Sequence, residues 1–172
     1  MRSAFLVTLL AVTPGLFGSS PQQTPQPAQP SRPRPAPTEQ HKQFDFWLGE
    51  WDVTAGGQKA GTNSITSLEG GFAVKESWTS AGGGTGTSLN FFDRADGKWH
   101  QVWIDSGGNA LFLAGGLVDG KMVLQSAESN GAFHRVTWTP NPDGTVRQFW
   151  ESTSDGGKTF TVAFDGLYRK KR

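Results

Sequence analysis

The chain has no cysteine, one tyrosine, two methionines and three histidines among its 172 residues. Without thiols it has neither a disulfide framework nor a thiolate metal site, so a folded domain here is held by packing alone. A lipid-anchored cysteine is excluded on the same ground. His41, His100 and His134 stand on separate segments without paired metal-ligand spacing, and no metal or cofactor is expected. There is no nucleophile elbow and no phosphate-binding loop. The run Gly82-Gly83-Gly84-Thr85-Gly86 precedes a strand pattern rather than a helix and reads as a flexible hairpin loop.

A surplus of positive charge is also missing. Residues 40–172 carry 13 Lys and Arg against 14 Asp and Glu, a net −1, and setting aside the basic end Arg169-Lys170-Lys171-Arg172 leaves −5. That sign argues against a nucleic-acid surface. The basic tail could touch an anionic membrane, but a solvated end is favoured. The longest apolar run, Ala4 to Val12, is too short to span a bilayer; following Arg2, it fits a secretory signal peptide over residues 1–20, with cleavage near Gly18-Ser19-Ser20. An uncleaved N-terminal anchor is the alternative. The expected destination is the periplasm or the exterior, with no integral span in the mature chain. Composition leaves the oligomeric state open.

Seven of the ten prolines fall between Pro21 and Pro37, among Gln, Ala, Thr, Ser and Arg. Such a segment cannot bury a core, and residues 21–39 are expected to form a disordered tether.

Residues 40–172 are expected to be all-β. Six Asx-Gly pairs occur, at Asp96, Asp119, Asn130, Asp143, Asp155 and Asp165, and the first five lie between runs rich in β-formers. Asx-Gly supplies the positive φ angles of tight hairpins, and the spacings of 11, 13 and 12 residues from 119 to 155 have the rhythm of an antiparallel meander. Ten strands are expected, at 50–55, 60–68, 72–79, 85–92, 98–104, 109–117, 121–128, 132–139, 145–153 and 158–168. Connections this short favour closure into an up-and-down barrel of about 8–10 strands, which removes both sheet edges, over a two-sheet sandwich. A short helix between Glu39 and Leu48, with Phe44, Trp47 and Leu48 on one side, would close one end.

Three strands share a pattern: Val74-x-Glu76-x-Trp78, Trp99-x-Gln101-x-Trp103 and Val146-x-Gln148-x-Trp150. Side chains alternate faces along a strand, so each polar residue shares a face with apolar neighbours, where it needs a partner, water or ligand. Glu76, Gln101 and Gln148, with Trp103 and Trp150, are therefore candidate ligand contacts. Arg135 and Asn90 join them if they point inward; the pattern around Arg135 does not decide between Phe133-x-Arg135-x-Thr137 and His134-x-Val136-x-Trp138. An inward Arg135 could neutralise Glu76 or bind an anionic group. The same polar set could instead be an internal network that fixes strand register without any ligand. Glu76 could also pair with Asp105 or Glu151, though no spacing requires it, and most of the seven tryptophans are assigned to the core.

Phe44-Asp45-Phe46-Trp47-Leu48-Gly49-Glu50-Trp51-Asp52-Val53 resembles the opening of lipocalin-like (calycin) barrels, where a Gly-x-Trp begins the first strand. Together with Glu76-Ser77-Trp78, Trp99 to Asp105, Arg135 to Trp138 and Arg147 to Glu151, it is similar to a family of uncharacterised bacterial exported domains, and in outline to nitrobindin-type haem barrels. The resemblance implies that Trp51 packs across the closed end beneath Phe44 and Trp47. A haem would need an inward histidine, and only His134 could supply one, if Arg135 faces out. Fold similarity does not carry function. The reading favoured is a non-enzymatic exported barrel that binds a small, partly apolar molecule; an enzyme using Glu76 as acid or base, and an interaction module on a proline-rich tether, are the alternatives.

Overall fold

The computed structural model describes residues 35–172. The expected signal peptide and all but the end of the proline-rich segment lie outside the described residues. Two 3-10 turns, Glu39–Lys42 and Asp45–Trp47, precede ten strands: β1 Gly49–Ala55, β2 Gln58–Leu68, β3 Ala73–Ser80, β4 Thr85–Asp93, β5 Lys98–Asp105, β6 Ala110–Val118, β7 Lys121–Gln125, β8 Phe133–Pro140, β9 Val146–Thr153 and β10 Thr161–Lys170. Each strand pairs antiparallel with its neighbour in sequence, and β10 returns to pair with β1, closing the barrel.

Hairpin chemistry sets the order. Asp119, Gly120, Asn130 and Gly131 all adopt positive φ, as do Gly97, Gly144 and Gly156, so the first five Asx-Gly pairs turn the chain as their residue types favour. The sixth does not. Asp165 and Gly166 lie within β10, paired with Phe149 and Gln148 of β9, and Gly166 serves packing instead: a Cβ there would lie 2.3 Å from the Phe164 ring.

Strand boundaries differ most from the sequence reading at β7 and β10. β7 ends at Gln125 because the Ser126 hydroxyl takes the His134 backbone N–H at 3.0 Å and residues 129–132 close their own tight turn. β10 starts at Thr161 because the Asp155 carboxylate gathers the backbone N–H groups of Lys158 and Thr159 at 2.9 and 3.0 Å. At the other end β10 runs on to Lys170, so the basic tail begins inside the strand, with Lys170 opposite Trp51.

The 3-10 turns close one end. Phe44 stacks on Trp47 and meets Trp99 and Trp138 edge-on, and all four rings are buried. Two indole donors fix the plug to the strands: Trp51 Nε1 donates to the Trp47 carbonyl at 2.8 Å, and Trp99 Nε1 donates to Gln43 Oε1 at 3.1 Å. Gly49, which leads into β1, has φ 139°, a conformation that side-chain-bearing residues rarely adopt. The Gly-x-Trp thus bends the chain from turn to strand and places Trp51 beneath the plug. His41 anchors the start of the turns, buried edge-on against Phe72 and Phe92.

Removing a large buried aromatic costs about 3 to 5 kcal/mol. Trp51→Ala is expected to lower the unfolding free energy by that much, read by urea denaturation. Phe112→Ala, at an outward site 64% exposed, should change it by less than about 0.5 kcal/mol. Equal stability of Trp51→Ala and the parent would show that the plug does not depend on this ring.

Candidate functional site

Inward side chains divide the barrel into three levels. Trp51, Trp99 and Trp138 fill the plugged end. Toward the other end of the same strands, a cavity of about 210 Å³ is lined by Glu76, Trp78, Gln101, Trp103, Leu111, Val136, Gln148, Trp150, Ala163, Phe164 and Tyr168. Between the two lies a layer of buried polar side chains. The three-strand pattern therefore does face inward, and five of the seven sequence candidates, Glu76, Gln101, Trp103, Gln148 and Trp150, meet around one space.

Strand glycines help to shape the cavity walls. A Cβ on Gly86 would lie 2.2 Å from the Trp103 ring, and one on Gly61 would lie 2.6 Å from the ring of Trp78. These positions give Trp103 and Trp78 room to lie across a neighbouring strand, and Gly166 gives Phe164 room along its own strand.

The polar layer is a connected set whose donors converge on Glu76, which is 3% exposed. Asn63 Nδ2 donates to Glu76 Oε1 and the Ser88 hydroxyl donates to Oε2, both at 2.7 Å. Ser88 accepts from Asn90 Nδ2 at 2.9 Å and more distantly from Gln101 Nε2 at 3.4 Å. Gln101 also donates to Asn90 Oδ1 at 2.8 Å. On the other side Asn63 approaches the Tyr168 hydroxyl at 3.4 Å, and Tyr168 donates to Gln148 Oε1. Asn63 Oδ1 is left without a partner among the described residues.

Burial dominates the electrostatics. It pushes the Glu76 carboxyl up to about 7, against the opposing pull of the hydrogen bonds from Asn63 and Ser88. Burial, reinforced by the Glu76 charge, raises Tyr168 well above its ordinary value, so the phenol stays neutral. Among the described residues, no Lys, Arg or His lines the cavity.

Two candidates are placed differently from the lining set. Asn90 does turn inward and is fully buried, but it belongs to the layer beneath the cavity, where it also donates to the Val74 carbonyl at 3.1 Å. Arg135 is a correction. Val136 and Trp138 take the inside of β8, which puts Arg135 on the outer face, where Nε donates to Glu151 at 2.7 Å and the guanidinium lies 4.2 Å from the Phe160 ring centre. It neither neutralises Glu76 nor reaches the cavity. Glu151 is thereby engaged outside, and Asp105 accepts from Gly107 and Asn109 at the end of β5, so neither pairs with Glu76.

The sequence reading missed Asn63, Ser88, Phe164 and Tyr168. The available signal was the alternation Phe164-x-Gly166-x-Tyr168 on the last strand, with its single tyrosine. His134 shares the inward side with Val136, but its Nδ1 accepts from Trp150 Nε1 at 3.0 Å. In the neutral ring that leaves Nε2 protonated rather than free to ligate, and the cavity is smaller than usual cofactor sites of about 300 to 1,000 Å³. These residues do not fit a haem. Comparison with protein-family models and with curated proteins finds no match.

Glu76 gives stability a defined pH dependence. Its ordinary value is 4.5 and its folded value about 7, so between these the folded state holds a proton that the unfolded chain has released. Stability contributed by the neutral acid is therefore lost as pH rises through this window, by about 3 kcal/mol in total. Denaturation at a series of pH values should show this decline in the parent relative to Glu76→Gln. Parallel curves for the two proteins would contradict the burial of an uncompensated carboxyl.

Proposed function

We propose that the chain is an exported, lipocalin-like (calycin) barrel that binds a small, partly apolar molecule. The observation that carries this reading is the cavity itself: three tryptophans and Phe164 form its walls, while Glu76, Gln101, Gln148 and Tyr168 offer polar groups toward its base. Few polar groups set among aromatic walls are the ordinary makeup of a small-molecule site. In this reading Gln101, Gln148 and Glu76 orient the polar part of the ligand, Trp103 and Trp150 hold its apolar body, and Asn90 supports Gln101 from below. A ring of ten strands is wider than the eight-stranded barrels that side chains just fill, which favours binding over a purely structural interior. Export rests on the sequence of residues 1–20, and the proline-rich segment would tether the barrel in the periplasm or outside the cell.

A second reading, an enzyme using Glu76 as acid or base, draws on the carboxyl's value of about 7, where a group can both give and take protons at neutral pH. It is less favoured because the hydroxyls near the carboxyl are engaged, Ser88 donating to Glu76 itself and Tyr168 to Gln148. Turnover abolished by Glu76→Gln would support it.

Mass spectrometry of the natively purified protein is expected to reveal a co-purifying small molecule, released on denaturation. Gln101→Ala should stay folded, losing about 1 kcal/mol for its hydrogen bonds, and should retain less of that molecule. A protein that carries no small molecule, and whose cavity resonances in NMR are unmoved by a fragment collection, would contradict the binding reading.

A further inference from the structure

We propose that the cavity selects a small organic cation, a protonated amine on an apolar body, with Glu76 as its counter-ion and Trp78, Trp103 and Trp150 as its walls. The inference rests on the reading of the barrel as a small-molecule binder and names the class of ligand.

Charge accounting leads to it. Among the described residues, Glu76 and Tyr168 are the titratable residues that line the cavity. The groups packed on Glu76 from β2 and β4 are the neutral Asn63 and Ser88. Arg135 and Arg147 lie on the outer face, bound to Glu151 and Asp165. Among the described residues the cavity lining thus holds one carboxyl and no Lys, Arg or His, and the inward His134 is turned to the wall, where its Nδ1 accepts from Trp150. When Glu76 is ionised, an anionic ligand would add a second buried negative charge, and a neutral one would leave the first uncompensated. An ammonium group would compensate it, and its positive charge would also be attracted to the faces of the indole walls. A hard metal ion is a poor match, because it needs about six oxygen ligands and the walls offer rings. At about 210 Å³ the cavity exceeds the roughly 150 Å³ that accommodates benzene, so a compound with one ring and a short amine fits.

The test titrates the full-length protein with benzylamine, benzyl alcohol and benzoate at about pH 8, by calorimetry and by tryptophan fluorescence, since three of the seven tryptophans line the cavity. The amine is expected to bind about tenfold or more tighter than the alcohol, with benzoate weakest. That preference should vanish at about pH 5.5, where Glu76 is protonated, and in Glu76→Gln at the higher pH. The pH series on the parent decides the matter if the variant does not fold. Equal affinity for amine and alcohol, or a preference that survives neutralisation of Glu76, overturns the cation assignment and leaves the binding reading standing. Failure of all three probes to bind also overturns the cation assignment, and the binding reading is then decided by the co-purification experiment.

Discussion

Closing ten strands into one ring is the constraint from which the rest follows. Pairing of β10 with β1 satisfies both sheet edges, but it encloses more space than a single column of aliphatic side chains can fill. The chain fills it unevenly. Aromatic rings from the 3-10 turns and from β1, β5 and β8 pack one end. A hydrogen-bonded polar layer occupies the middle, and the far end is left as a cavity. The site is what remains once the plug has been paid for in tryptophan.

The polar layer links fold to chemistry. A lone buried carboxyl is costly, and here four neutral side chains orient their donors toward it directly or in relay, a directional arrangement in which each hydrogen bond polarises the next. The arrangement still falls short of solvation by water, which is why burial wins and the Glu76 value rises. A network meant only to set strand register would be better served by neutral amides and hydroxyls. A carboxyl held near its titration point beside an open cavity is a group with unspent interaction energy.

Much of this was legible in the sequence because it is local. Five Asx-Gly pairs located five of the nine connections between strands, and the recurrence of a polar residue between apolar ones on three strands pointed to Glu76, Gln101 and Gln148. Gly49-x-Trp51 marked the plugged end. What was not legible depends on partners distant in the chain. The direction of Arg135 was undecided within β8, since both parities carry one aromatic; it is fixed by Trp138 meeting Phe44 and by Glu151 across the strand pair. Asn63 and Ser88 look like ordinary polar strand residues until β2, β3 and β4 are laid side by side. Asp165-Gly166 has the letters of a turn, yet its glycine makes room for an aromatic ring.

The central claim is that Glu76 is, among the described residues, the one carboxyl of an aromatic-walled cavity and is buried there without a cationic partner. Carbon-13 NMR of the Glu76 side-chain carboxyl, followed through a pH titration of the folded protein, addresses it most directly. The account predicts a midpoint near 7. A midpoint at the ordinary 4.5 would mean that the carboxyl is solvated or paired with a cation, and would contradict it.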